Sequence, residues 1–484
     1  MTLVKLALLH LGWLGTGLLI LELVAGGRRL SARRLLEAYL TGMVPHVVTL
    51  YAWAALAPVP VAAGRGLIGA GLVGGLVWLL LRRWRAVPPS ADDRPGGRAP
   101  GFGPVDLALA AVLAPPLLLI VLSGWCVALH HWDPLAIWAT KAELLFHGEF
   151  LRSEAFVDPQ RINPHHGYPI GYSLVLFEHA AAAGSPDELM MNRGLLVVVV
   201  AGLALLGLLM AEWAGRRQAM AAVGLLLWAP AMWRPELATA ASSGYADLPL
   251  GLCAALGAGL LVRGLAAADR ASLAAGSACL VLAASFKNEG MVWAVMICGL
   301  GLAALALRPE RRSASPWLAL LAPLAALGLL RLAHLHQPTT SDVAAPSAAD
   351  VAALLGLLPR LAETVADHLL ANPVWGALRL FLPVALAVGL VRARRQPLAL
   401  LGLAAPLYLG IAIAVLGLIE VQAAAMDGYV LTMFPRLVVQ LLPSALLFAV
   451  VLNSTAFARA QLPVTARPTS WGRSRPAGRS PAGR

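Results

Sequence analysis

The chain has 484 residues, of which 59% are hydrophobic and 13% charged, and its formal net charge is +12. So little charge excludes a water-soluble protein of this length, because soluble domains carry about 25% charged residues and single cores stop growing at roughly 250–300 residues. Nucleic-acid binding is not indicated either, because the arginines stand in short clusters between apolar runs and are not interleaved with aromatics.

A helix needs about 20 apolar residues to cross a bilayer. The pattern predicts an all-α, polytopic transmembrane bundle of about 13 spans, at 4–26, 38–60, 66–81, 105–127, 193–211, 219–233, 246–262, 271–286, 290–307, 317–334, 374–391, 398–419 and 435–453. Val4–Gly26 is expected to be a retained span, since no small-residue cleavage site follows it. The apolar stretch 271–307 would make a helix of about 55 Å, too long for a hydrocarbon core of about 30 Å. Lys287-Asn288-Glu289-Gly290 is therefore expected to be a turn between two spans. The segment Pro169–Gly184 is short and carries Glu178 and His179, so it reads as a helix lying at the interface. Cys126, Cys253, Cys279 and Cys298 lie in or beside apolar runs without CxxC spacing, as packing residues do.

With these spans, the basic clusters Arg28/Arg29/Arg33/Arg34, Arg82/Arg83/Arg85/Arg94/Arg98, Arg216/Arg217, Arg263/Arg270, Arg308/Arg311/Arg312, Arg392/Arg394/Arg395 and the tail arginines all fall on one side. The positive-inside rule makes that side cytoplasmic, with the amino terminus outside and the carboxyl terminus inside. The tail beyond 453 is rich in Arg, Pro, Ser and Gly and is expected to be disordered and basic. No internal repeat is evident, which weakens a transporter reading.

Ionisable groups near spans are functional candidates, and four sets fall on the opposite, outer side. The first is Trp132-Asp133-Pro134 through Trp138 and on to Lys141, where Asp133 either caps a helix begun by Pro134 or serves chemistry. Trp132 and Trp138 are expected to anchor that helix at the interface. The second is Asn163-Pro164-His165-His166-Gly167-Tyr168-Pro169, a substrate-lining loop more than a metal site, since adjacent histidines do not readily share one ion. The third joins Gly244-Tyr245-Ala246-Asp247 to Lys287-Asn288-Glu289, where charges either neutralise each other or act. The fourth is Asp427-Gly428-Tyr429 with Arg436, a cation suited to lipid phosphate.

Taken in order, Trp132-Asp133-Pro134-Leu135-Ala136-Ile137-Trp138-Ala139-Thr140-Lys141-Ala142, His166-Gly167-Tyr168-Pro169, Gly244-Tyr245-Ala246-Asp247-Leu248-Pro249 and Lys287-Asn288-Glu289-Gly290 resemble a bacterial GT-C glycosyltransferase. The wider superfamily includes protein O-mannosyltransferases and lipid A aminoarabinose transferases. The resemblance covers roughly 105–450, leaving 1–104 as an amino-terminal three-span extension, 105–453 as the catalytic membrane domain with its outer loop at 128–192, and 454–484 as the tail. It departs from its relatives where Gly167 precedes Tyr168 and where Pro134 follows Asp133.

The resemblance implies a polyprenyl-phosphate sugar as donor, a glycan, lipid or protein as acceptor, and a bacterial inner-membrane location with the site on the periplasmic face. It implies Asp133 as general base, with Lys141, Lys287 and Arg436 available to hold the donor phosphate. His165, His166, Tyr168, Tyr245, Asp247, Asn288 and Glu289 are then expected to line the substrates. No cofactor and no metal site is assigned; a divalent metal is known among relatives but finds no support in these residues. The alternatives are a transporter or flippase, and a polymerase or ligase of lipid-linked glycans.

Overall fold

The computed structural model describes residues 2–26, 30–84, 102–158, 167–234, 237, 239–307, 314–333, 347–394, 396–423 and 429–460. These residues form helices and no strands. The chain begins with α1 (Thr2–Ala25), α2 (Ala32–Leu56), α3 (Val61–Trp84) and α4 (Pro104–Cys126). A π-helical turn, Pro134–Ala139, then runs into α5 (Thr140–Phe146), followed by α6 (Glu154–Val157), α7 (Gly171–Ala183), α8 (Glu188–Ala214), α9 (Arg216–Leu227) and α10 (Pro230–Trp233). The second half holds α11 (Asp247–Ala267), α12 (Arg270–Phe286), α13 (Asn288–Ala306), α14 (Ala314–Ala333) and α15 (Ala348–Ala366). A 3-10 turn at Pro373–Trp375 precedes α16 (Leu378–Ala393), and a second at Pro397–Leu403 leads into α17 (Ala404–Ala423), α18 (Tyr429–Leu452) and α19 (Thr455–Ala460).

The expected spans fall largely on helices, although 219–233 is divided between α9 and α10 and 398–419 between a 3-10 turn and α17. Among the described residues, nine stretches are long and apolar enough to cross a membrane: α1, α3, α4, α8, α11, α13, α14, Pro397–Leu416 and α18. Four other expected spans are weaker. α9, α12 and α16 have only 12, 17 and 16 residues, and α2 places Thr41, Pro45, His46 and Thr49 along its middle. The perimeter explains why lipid must be the solvent. α4 buries Pro116, Ile120 and Gly124 in one narrow stripe, while Leu117, Leu118, Leu119 and Leu122 stay exposed. Leu318, Leu321 and Leu329 on α14, and Phe381 and Val384 on α16, are likewise exposed. An apolar surface of that extent would drive aggregation in water.

α11 is apolar on all sides and buried on almost all of them, against α8, α12, α13 and α18. The surprise is α7. It is too short to span and was expected to lie flat at the interface, but Gly171–Ala182 are all buried. α1, α2, α3, α5, α8 and α12 surround it, and Glu178 is accommodated because Trp13 Nε1 donates to it at 3.1 Å and His46 Nδ1 meets it at 2.7 Å. A carboxylate with buried partners does not need the headgroup region. The first three helices thereby share one hydrophobic core with the rest of the chain. The start of the tail is also ordered: α19 docks Phe457 on Trp213 of α8, while 461–484 lie outside the described residues.

The end of the bundle that carries the basic clusters is tied by ion pairs. Glu212 at the end of α8 meets Arg33 at 3.0 Å and Arg263 at 2.7 Å, and Arg263 also pairs with Asp269. α1 and α2 cross at backbone contact: a Cβ on Gly42 would fall 1.7 Å from the Trp13 carbonyl oxygen, and one on Gly17 equally close to that of Ala38. Such small-residue crossings are how membrane helices gain dispersion without a hydrophobic drive. Gly42→Val should therefore force the pair apart and cost about 1–3 kcal/mol or more. Thermal unfolding in detergent checks this, with Gly66→Ala, where an added Cβ meets nothing within 4 Å, expected to be neutral.

Candidate active site

Polar residues from each of the four sequence sets converge at the starts of α11 and α13 and in the first half of α18. Asp247 is the first residue of α11 and is buried. It does not cap its helix: it accepts from Lys287 Nζ at 2.9 Å and Gln440 Nε2 at 2.6 Å through Oδ1, and from Arg436 Nε at 3.0 Å through Oδ2. The other arm of Arg436, Nη2, donates to Asp133 Oδ2 at 2.6 Å. Lys287 is the single extended residue between α12 and α13, and it also pairs with Glu289 at 2.9 Å. Burial alone would depress the Lys287 ammonium, but the Asp247 and Glu289 carboxylates outweigh it and hold its pKa above the ordinary lysine range.

Asp133 does not act as a helix cap, since its side chain makes no capping hydrogen bond to the turn that follows. That turn is π-helical, with Thr140 Oγ1 donating to the Leu135 carbonyl at 2.8 Å. Such widened turns recur at functional sites because they re-aim one residue. The loop before α11 is pinned against it: Tyr172 Oη donates to the Gly244 carbonyl at 2.9 Å. Gly244 sits at φ +79, and a Cβ there would strike Leu129 at 2.3 Å, so only glycine lets this loop close on the Asp133 segment. Tyr245 then lies under the Arg436 guanidinium, 4.4 Å from ring centroid to Cζ, a desolvated cation–π contact.

Beside this cluster is a cavity of about 610 Å³. Tyr168, Lys287, Asn288, Glu289, Arg331 and Arg436 give it polar groups; Val292, Val295 and Met296 of α13, Leu327 of α14 and Val415 and Ile419 of α17 make the rest apolar. Asn288 Oδ1 and Glu289 Oε2 are buried without a hydrogen bond. Leaving a buried acceptor unmade costs about 1–3 kcal/mol, so the start of α13 beside the cavity carries two unmet hydrogen bonds.

The sequence-derived residues divide as follows. Lys287, Arg436, Tyr168, Asn288 and Glu289 line the cavity, and Asp133, Tyr245 and Asp247 stand directly behind Arg436. Lys141 does not join them. It is buried in α5, its Nζ reaches the Tyr168 carbonyl at 3.4 Å, and it is no part of the cavity wall. The expected phosphate holder is thus a support for the Tyr168 loop, because the α5 register turns it inward. Trp138 is no interfacial anchor either: it is buried, stacked on Tyr168 at 5.7 Å, while Trp132 remains exposed. His165, His166, Asp427 and Gly428 lie outside the described residues. Among the described residues no group of three or more His, Cys, Asp or Glu is arranged to hold a metal.

Sequence reasoning missed Gln440, which completes the shell of Asp247, and Tyr408, hydrogen-bonded to Gln440 and stacked on Trp293 at 4.4 Å. A signal existed: Gln440 stands one turn beyond Arg436 inside an apolar run, where an amide needs a partner. No family model, no curated protein and no solved structure matches this chain.

Two outcomes follow from this geometry. Removing Asp247 leaves Arg436 and Lys287 facing each other while buried, so Asp247→Ala should cost about 3–5 kcal/mol, read by thermal unfolding in detergent. Burial pulls the Lys141 ammonium down to about 7. An unfolded lysine holds its proton up to about 10.4, so between those values the unfolded chain binds more protons and stability falls as pH drops from 10 to 7. Lys141→Met removes this slope, and its melting temperature relative to the unmodified chain should rise more at pH 7 than at pH 9.5.

Proposed function

We propose that this protein is a membrane glycosyltransferase that moves a sugar from a polyprenyl-phosphate donor to an acceptor hydroxyl. The observation that carries the reading is the 610 Å³ cavity, which combines three kinds of surface in one space. Apolar walls from α13, α14 and α17 suit a polyprenyl chain lying between helices. Lys287, Arg436 and Arg331 supply cations for a phosphodiester. The amide of Asn288 and the carboxylate of Glu289, residues of the cavity wall, suit sugar hydroxyls. The motif resemblance to GT-C enzymes points to the same chemistry, and the positive-inside rule supports an outer, periplasmic-type face for the site with the amino terminus outside.

In this reading the acceptor oxygen attacks the anomeric carbon while the carbon–oxygen bond to phosphate breaks. The electron pair leaves on the phosphate, the acceptor proton passes to Asp133, and the anomeric centre inverts. The leaving group needs charge stabilisation more than protonation, which Lys287 and Arg436 provide. Asp247 fixes both cations, so little reorganisation accompanies the developing charge. Arg436 links the two halves, touching the donor cavity and holding Asp133 by one arm.

A second reading, a proton-coupled transporter, draws on one specific observation. His10, His46, His179 and Glu178 lie inside the bundle, with His10 and His179 rings 5.5 Å apart and Glu178 bonded to His46. Buried ionisable groups within helices are common in proton paths.

The two readings part on substitution. Asp133→Asn should lower the sugar-bearing envelope product by about 10²–10⁴-fold, measured by mass spectrometry of membranes from expressing cells, with protein level and polyprenyl-phosphate binding retained. Glu178→Gln should leave that product in place. Full product with Asp133→Asn, or its loss only with Glu178→Gln, would sink the transferase assignment.

A further inference from the structure

Gln440 is fully buried on α18, one turn beyond Arg436 and within an apolar run. An amide in such a place needs partners, and it has two. Its Nε2 donates to Asp247 Oδ1 at 2.6 Å, and its Oε1 meets the hydroxyl of Tyr408. Chemistry fixes the direction of both bonds. The Asp247 carboxylate, which also receives Lys287 and Arg436, can only accept, so the amide turns its NH2 toward it. The amide oxygen then faces Tyr408, whose hydroxyl must donate.

Backbone packing brings the amide within reach. Gly251 stands one turn beyond Asp247 on α11, and a Cβ on it would fall 2.6 Å from the Gln440 carbonyl oxygen and 2.8 Å from its Cα. Tyr408 is held from the other side, stacked on buried Trp293 of α13 with centroids 4.4 Å apart. It also borders the 610 Å³ cavity, on the same helix as Ile411 and Val415. Those two are 40% and 42% exposed, so α17 belongs to both the cavity wall and the apolar perimeter.

A continuous path therefore runs from the cavity wall to Asp133. Tyr408 donates to Gln440 and Gln440 to Asp247; Arg436 donates to Asp247 through Nε and to Asp133 through Nη2. We propose that Tyr408 and Gln440 are positioning residues for Asp133. They fix the Asp247 carboxylate, which fixes the Nε edge of Arg436, which in turn aims Asp133. Without Gln440, Lys287 alone draws on Asp247 Oδ1, the carboxylate turns toward α13, and the grip of Arg436 on Asp133 loosens. That Asp133 is the base rests on the transferase reading above; how it is held does not.

Two variants separate positioning from packing. Gln440→Met keeps the volume but strands the Tyr408 hydroxyl. Tyr408→Phe combined with Gln440→Met strands neither group, and replacing both partners by apolar side chains of like shape costs little stability. The full chain in nanodiscs is treated with dicyclohexylcarbodiimide, an apolar reagent for carboxyl groups, and Asp133 adducts are quantified by peptide mass spectrometry. Labelling should rise about threefold or more in the double variant and in Gly251→Ala, as the charge-assisted bond to Arg436 weakens. The double variant should still melt within about 3 °C of the unmodified chain, and above Gln440→Met. Leu442→Ala, which removes buried volume elsewhere on α18, should lower the melting temperature and leave labelling unchanged. In cells, the Asp133-dependent sugar product should fall about tenfold in the double variant, as misplacement of a reacting group does. Unchanged labelling or undiminished product in the double variant overturns the proposal, as does equal labelling in Leu442→Ala. Raised labelling with no Asp133-dependent product in the unmodified chain removes the transferase reading while supporting the path that holds Asp133.

Discussion

One carboxylate organises the polar end of this bundle. Asp247 is buried at the start of α11 and accepts hydrogen bonds from Lys287, Arg436 and Gln440, which arrive from two other parts of the chain. Taking such charges out of water is costly, and the cost is offset only when geometry and hydrogen bonding are nearly complete. Both Asp247 oxygens are occupied, and Arg436 uses Nε for Asp247, Nη2 for Asp133 and Nη1 for the Met433 sulfur at 3.6 Å. The cluster therefore fixes where α11, α13 and α18 begin relative to one another. Whatever binds in the adjoining cavities meets cations already oriented.

The remaining features depend on that anchor. Arg436 could not bridge Asp133 and the cavities unless Asp247 held its Nε edge. Tyr245 could not lie under the guanidinium unless Gly244 turned the loop with a positive φ. Behind these, Tyr168 stacks on buried Trp138 and receives Lys141 at its carbonyl, so the 167–170 segment is supported from the protein interior. α7 serves the same end more remotely, since its Tyr172 hydroxyl ties the Gly244 loop to the centre of the bundle. The amino-terminal helices that surround α7 thus reach the site through packing, and none of their described residues lines the 610 Å³ cavity.

Arg436 also sets the division of space. The cavity of about 610 Å³ and a second of about 470 Å³ both include it in their walls. One guanidinium thus borders two cavities and also holds the proposed base. The counter-charges matter here: Asp133, Asp247 and Glu289 pair with Arg436 and Lys287, so the net field these two cations offer the cavity is modest.

The sequence by itself determined the all-helical membrane class, because apolar runs of about 20 residues leave few other ways to satisfy the backbone in lipid. It determined the position of most of the long helices, though not of α15, and the break at Lys287 inside the 271–307 stretch. It also picked out Asp133, Asp247, Lys287 and Arg436, since charges beside apolar runs are rare enough to be conspicuous. Only the tertiary structure decided which charges meet. Periodicity along one helix carries no information about contacts between residues 303 positions apart, as Asp133 and Arg436 are. For the same reason Lys141 looked like a ligand and proved a support, and α7 looked interfacial and proved central: a helix's surroundings are set by the neighbours that fold around it. The two cavities beside Arg436 belong to that second category, since empty space between helices has no residue of its own to announce it.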